Sequence, residues 1–155
     1  MKPGQKFRNA LKNNKPLIIP GTINAYSAKL AELANHNSIY LSGSGVAAAS
    51  YGLPDLGVTT LENVLIDAKR ITSATSLPLL VDIDTGWGDF DAISNTILEM
   101  GNANVAAVHI EDQIFDKRCG HRPNKQLVSI DEMQDRLKAA LDAKIDDSFF
   151  IMART

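Results

Sequence analysis

Cysteine is almost missing from this chain of 155 residues: Cys119 stands alone. An intrachain disulfide is therefore excluded, which is the usage expected of a reducing cytoplasm. Positive charge is not in excess either, since 16 Lys and Arg face 18 Asp and Glu for a formal net charge of -2. With no basic stripe to follow a phosphate backbone, nucleic acid is not an expected partner. No long apolar run occurs. Neither a membrane-spanning segment nor a secretory leader is expected behind the polar start Met1-Lys2-Pro3-Gly4-Gln5-Lys6. Internal repeats, low-complexity tracts and linkers are also lacking, so residues 1–155 read as a single domain.

The composition is that of an ordinary soluble globular protein, with 45% hydrophobic and 22% charged residues. Five short, nearly continuous apolar runs, at 17–22, 38–43, 79–84, 106–112 and 149–155, have the pattern of parallel strands covered on both faces. Helical stripes alternate with them. Thr59 and Glu62 form a capping-box pattern ahead of Leu61, Val64, Leu65, Ala68 and Ile71. Ser129 and Glu132 repeat it ahead of Met133, Leu137, Ala140 and Leu141. Phe90, Ile93, Ile97 and Met100 form a third stripe ended by Gly101, and a weaker helix covers about 28–35. The alternation predicts an α/β fold with a parallel sheet. Two long connections, 43–60 and 113–129, each follow a strand, and loops of that length in a compact domain usually carry function. Five strands suit either a doubly wound domain or the first part of an eight-stranded barrel, and periodicity leaves both open.

Four clusters carry chemistry. Asp82 and Asp84, two apart at a strand end, fall on one face by the strand's period, where a hard cation such as Mg²⁺ would relieve their repulsion. The competing reading makes Asp84 a helix cap and gives Asp82 a basic partner. Glu111 repeats the placement at the end of the fourth run, the edge that holds ligands in α/β folds. His109 reads rather as a hydrogen-bonded core residue, and His36 as a solvated one. In Lys117-Arg118-Cys119-Gly120-His121-Arg122-Pro123-Asn124-Lys125 the lone thiol sits among cations, which favour a reactive thiolate; the alternatives are a solvated basic loop and a buried small side chain. Tyr40-Leu41-Ser42-Gly43-Ser44-Gly45 offers a Ser/Gly turn whose amides can hold a carboxylate, and Asp55 follows in the same loop. Together the clusters suit a polycarboxylate whose carbanionic transition state needs charge stabilisation.

At these residues the sequence resembles the isocitrate lyase/phosphoenolpyruvate mutase superfamily. Lys117-Arg118-Cys119-Gly120-His121 is similar to the lyase signature, and Arg122-Pro123-Asn124-Lys125 resembles the methylisocitrate lyase branch. Gly52-Leu53-Pro54-Asp55-Leu56-Gly57, the 79–88 segment, His109-Ile110-Glu111-Asp112-Gln113 and Ile151-Met152-Ala153-Arg154-Thr155 also match, in the family's order from about Phe7 onward. The resemblance implies an incomplete (β/α)₈ barrel, with five strands present. It implies a cytoplasmic, Mg²⁺-dependent carbon–carbon lyase (Mn²⁺ as substitute) that cleaves 2-methylisocitrate, a tricarboxylate of propionate catabolism, to pyruvate and succinate. By the same resemblance Asp82 and Asp84 hold the metal, with Asp55 and Glu111 near it. Ser42, Gly43 and Ser44 bind the 2-hydroxy carboxylate end, and Arg154 anchors a carboxylate. Lys117, Gly120 and His121 shape the closing loop, in which Lys117, Arg118 and Gly120 bind substrate; Cys119 is the acid that protonates the succinate carbanion, His121 is catalytic beside it, and Tyr40 is a candidate hydroxyl base. A homotetrameric parent is also implied.

Two departures stand out. Ser44 replaces an expected Gly and adds a hydroxymethyl to the turn. The chain also stops at the family's fifth strand, which predicts that these residues are inactive alone. The alternatives are another member of the superfamily (an isocitrate lyase, a dimethylmalate-type lyase or an oxaloacetate-type decarboxylase), a receiver-like signalling module, and a non-catalytic fragment.

Overall fold

The computed structural model describes all residues except Asp116, Arg118 and His121. Strands β1 (Ile39–Leu41), β2 (Leu79–Asp82), β3 (Ala107–Glu111) and β4 (Phe150–Arg154) form one sheet, all parallel and in chain order. Helices α1 (Pro3–Asn13), α2 (Ala25–Leu33), α3 (Gly43–Tyr51), α4 (Leu61–Ala74), α5 (Phe90–Asn102) and α6 (Ile130–Asp142) alternate with the strands. A doubly wound receiver-like domain reverses its strand order at a switch point. This sheet never reverses, as expected of successive units of a barrel.

The first apolar run does not become a fifth strand. It meets the sheet only through a parallel bridge between Gly21 and Tyr40, where the Thr22 amide donates to the Tyr40 carbonyl and the Tyr40 amide to the Pro20 carbonyl. Pro16 and Pro20 have no N–H to offer a ladder, which shortens pairing along this run.

One face of the sheet packs under α2, α4, α5 and α6. Ile39, Leu41, Leu79, Val81, Val108 and Ile110 meet Val64, Ile71, Ile93, Ile97 and Met100 in the main core. The other face carries a smaller cluster of Leu80, Ala106 and Ala107, closed by Phe7 of α1. The Phe7 ring lies 5.5 Å from that of Phe150. Gly4 lets α1 sit so close to Ser148 and Phe149 that a Cβ there would collide with their backbone. This helix therefore closes the end of the sheet where β4 begins.

Several boundaries differ from expectation. The box ahead of α4 is one residue later than predicted: Thr60 accepts from the Asn63 amide, and Asn63 answers to the Thr60 amide. Thr59 is buried instead, and its carbonyl accepts from the Trp87 indole. Ser129 caps α6 as predicted, but the Glu132 side chain turns to Arg136. Gly101 lies inside α5, which runs on to Asn102. Residues 43–51, expected as loop, form α3, with Ser42 as N-cap and Gly52 in the left-handed conformation as its stop.

Candidate functional site at the C-terminal edge of the sheet

Strand register sets Asp82 beside His109 and Glu111 beside Arg154, with Asp82, Glu111 and Arg154 at the C-terminal ends of β2, β3 and β4 and His109 two residues before that of β3. After Asp82 the chain does not stay extended. Asp84 takes a left-handed φ of 49° and Gly86 a φ of 92°. The turn brings the Asp84 amide to Asp82 Oδ1 at 3.0 Å and the Glu111 amide to the Asp84 carbonyl at 2.8 Å. The two aspartates thus come together through a turn rather than through strand period. Their oxygens converge 3.4–3.5 Å from the point where a Cβ on Gly43 would sit. Asp82 and Asp84 are each 5% exposed and Glu111 1%.

The Ser/Gly segment is the N-terminus of α3, not an open turn. Ser42 Oγ accepts from the Gly45 amide, and the Gly43 amide donates to Asp82 Oδ2 at 3.4 Å. The extra hydroxyl of Ser44 bonds that of Ser42 at 2.9 Å. Tyr40, the middle residue of β1, donates to Asp82 Oδ2 at 3.4 Å and lies 3.1 Å from His109 Nε2. Burial, then the Asp82 charge, raises the Tyr40 pKa, so it rests as a phenol. Burial likewise lowers that of His109 and, despite the opposing pull of Asp82, favours neutral imidazole.

Lys117 is the unexpected centre. Its ammonium donates to Asp84 Oδ1 at 2.5 Å and to Asp55 Oδ1 at 2.8 Å, and the residue is 8% exposed. Burial works against this charge, but Asp84 and Asp55 outweigh it and hold the lysine pKa above its ordinary value. Burial, with Asp82 adding and Lys117 opposing, raises Asp84 to about 6. Arg154 approaches both flanking carboxylates, 3.7 Å from Asp82 Oδ2 and 3.8 Å from Glu111 Oε2. Glu111 Oε1 accepts from Gln113, whereas its buried Oε2 has no hydrogen-bond partner among the described residues. A Cβ on Gly120 would lie 3.6 Å from both Arg154 and Gln113, so the segment carrying Cys119 runs close over the edge. Cys119 itself is partly buried. Arg118 and His121 lie outside the described residues.

The structure therefore gathers Tyr40, Gly43, Asp55, Asp82, Asp84, Glu111, Lys117 and Arg154 in one place. Sequence reasoning had His109 as a hydrogen-bonded core residue and not as a member of the site; it is hydrogen-bonded, but to Tyr40, on which it stacks with its Nδ1 3.5 Å from Asp82 Oδ1. That reasoning also missed Arg136, buried under the site and bonded to the carbonyls of Glu111 and Gln113. His109 lay in a quoted motif but its partner is 69 residues away; nothing in the sequence marks Arg136. Among the described residues, no three His, Cys, Asp or Glu side chains converge tightly enough to share one ion as they stand. Clustered buried carboxylates are nevertheless the donors a hard divalent cation takes. Among the described residues no helix is long and apolar enough to cross a membrane.

A family model described as phosphoenolpyruvate phosphomutase matches residues 7–155. The 2-methylisocitrate lyase of Shewanella oneidensis is 64% identical over 152 residues, covering 98% of this chain and 52% of that protein. The solved structure of 2,3-dimethylmalate lyase, a PEP mutase/isocitrate lyase superfamily member, superposes with a TM-score of 0.91 at 36% identity, over 100% of this chain and 53% of that one. That of phosphonopyruvate hydrolase complexed with oxalate and Mg²⁺ gives 0.84 at 33% identity, over 99% and 52%. The chain spans about half the length of the curated relatives it matches. On this match and the in-order parallel sheet, the chain belongs to the phosphoenolpyruvate phosphomutase family, within the PEP mutase/isocitrate lyase superfamily.

Proposed function

We propose that this protein serves in a Mg²⁺-dependent carbon–carbon lyase that cleaves 2-methylisocitrate to pyruvate and succinate in the cytoplasm, within a homo-oligomer. The observation that carries the reading is the convergence of Asp82, Asp84 and Glu111 with Tyr40, Lys117 and Arg154 at one sheet edge, below the segment bearing Cys119. Identity of 56–64% to four 2-methylisocitrate lyases, against 39% to the isocitrate lyase of Haloferax volcanii, favours 2-methylisocitrate over isocitrate.

Asp82 and Asp84 would hold the cation, with Asp55 and Glu111 beside it; bound there, it would neutralise the substrate's carboxylate and hydroxyl oxygens. The α3 N-terminus at Ser42, Gly43 and Ser44 receives the 2-hydroxy carboxylate end, helped by the helix dipole. Arg154 holds a carboxylate, and Lys117, Arg118, Gly120 and His121 shape the cover. The hydroxyl proton passes to Tyr40 as Tyr40 gives its own to neutral His109, 3.1 Å away. The carbon–carbon bond then breaks, its electron pair goes to the succinate carbon, and that carbon takes the Cys119 thiol proton.

The test exchanges this chain for the matching half of the Shewanella oneidensis enzyme and assays pyruvate release. Mg²⁺-dependent cleavage of 2-methylisocitrate in preference to isocitrate is expected, with Cys119→Ser losing about 10²-fold or more. A folded chimera that leaves 2-methylisocitrate untouched would refute the reading. The 155-residue chain alone is expected to show no turnover.

A further inference from the structure

We propose that Trp87 is a positioning residue of this site: its indole N–H ties the loop that carries Asp55 to the turn that carries Asp84, and so sets the separation at which the two carboxylates are offered to a cation. This inference rests on the reading that the carboxylates hold a metal.

The turn is strained at Trp87. Asp84, Gly86, Trp87 and Gly88 all take positive φ, of 49°, 92°, 61° and 155°. Glycine has no Cβ to crowd there, and aspartate tolerates the conformation. For other residues the left-handed region presses the Cβ toward the following carbonyl oxygen, and a side chain as bulky as tryptophan rarely enters it. Strain of this kind persists where the surroundings over-determine it, and it gathers at functional sites. Two contacts hold Trp87 in place. Its ring packs against the main core, and its Nε1 donates to the Thr59 carbonyl at 2.8 Å.

Any large apolar side chain could serve the first contact, but the second needs a donor. Thr59 is buried, so its carbonyl must find that donor within the protein. It lies between Asp55 and Thr60, the N-cap of α4, at the end of an irregular segment. Among the described residues, the Trp87 bond is the one hydrogen bond between segments 52–60 and 83–88. On its other side the turn is fastened to α5, where Thr96 Oγ1 donates to the Gly86 carbonyl at 3.2 Å. Lys117 also reaches both Asp55 and Asp84, but it meets their side chains from a third segment and leaves the two backbones free of each other. The indole instead grips the backbone of the Asp55 loop. Carboxylates that share one ion must be presented at a fixed separation, and groups that orient them without touching the ion carry part of its affinity.

The experiment titrates the 155-residue chain with Mn²⁺ at neutral pH, read by the electron paramagnetic resonance of the free ion. Wild type, Trp87→Phe, Trp87→Tyr, Asp55→Asn and the Trp87→Phe/Asp55→Asn pair are compared, with circular dichroism melts showing which are folded at the temperature of the titration. Phe and Tyr both keep an aromatic ring and lose the indole N–H, so either one that folds decides the matter. Each is expected to bind Mn²⁺ at least about ten-fold more weakly than wild type, the lower end of what losing an orienting group costs a metal site. A merely structural tryptophan would lower the melting temperature and leave the affinity of the folded protein where it was, and that result overturns the proposal. In the Asp55→Asn background, Trp87→Phe is expected to weaken binding by less than about two-fold, because residues that act through one another are not additive. Losses that multiply, or an Asp55→Asn protein that binds like wild type, overturn the route through Asp55 while leaving the metal reading standing. Absence of Mn²⁺ binding by wild type overturns both.

Discussion

Replacing Asp84 with Asn tests the electrostatics of the site through stability, free of any assumption about substrate. Folding raises the Asp84 pKa from the ordinary carboxylate value of 3.8 to about 6, through burial and then the Asp82 charge. The folded state therefore binds this proton more tightly than the unfolded one. The contribution of Asp84 to stability is fully present below about pH 3.8 and is lost as the pH rises through about 6. At about 1.4 kcal/mol per pH unit, the loss by neutral pH is about 3 kcal/mol. Asn cannot ionise, and it tolerates the left-handed φ of 49° at this position, so the turn should survive. The lysine forfeits one ion pair in the variant, but it remains charged over this range, so that offset does not vary with pH. Urea unfolding of both proteins from about pH 4 to about pH 8 should show the difference moving in favour of Asn by about 2.5 kcal/mol, most of it below pH 7. Saturating Mg²⁺ should flatten the wild-type curve. A difference that stays constant with pH, or moves in favour of Asp, would refute the assignment of an uncomfortable charge to Asp84.

Phe7→Ala should cost about 3 to 5 kcal/mol, because a fully buried ring that closes the smaller core is removed. For a domain of this size that lowers the melting temperature by roughly 10 °C, read by circular dichroism, and a loss under about 1 °C would mean α1 is not docked. Gly86→Ala combines a left-handed backbone with a Cβ 2.5 Å from Ile93 Cγ1, and should cost about 2 to 5 kcal/mol in the same melt.

Much of the architecture was legible because it rests on local pattern. The four runs that pair fully are dense in apolar side chains, and the cap at Ser129 is made by a side chain three residues from the amide it binds. The run at 17–22 looked equally strand-like, yet Pro20 within it and Pro16 just before it reduce it to a bridge. Helix α3 hid behind its Gly and Ser, although Val46-Ala47-Ala48-Ala49 after a Ser cap was available as a signal. Helix α1 passed unread, although Pro3 near its start and Phe7, Ala10 and Leu11 on one face announce it. The acidic members of the site were visible from their position at strand ends. What joins them was not: Lys117 meets Asp55 across 62 residues and His109 meets Tyr40 across 69, contacts that only the sheet's register creates. The same distance hid Arg136, whose burial under Glu111 depends on how α6 packs on α5 and β4.

Because neighbouring strands are also consecutive strands, the site is assembled in the order in which a ribosome delivers it. Tyr40 emerges first, then Asp82 and Asp84, then His109 and Glu111, then Lys117, and Arg154 after all of them. Negative charge thus accumulates in the nascent chain before either neutralising side chain exists. A chain paused between residues 112 and 116 holds the three buried carboxylates of the site and neither of the cations that later answer them. Such an intermediate should keep that edge hydrated and loosely packed, and the last docking steps wait on basic residues supplied from downstream.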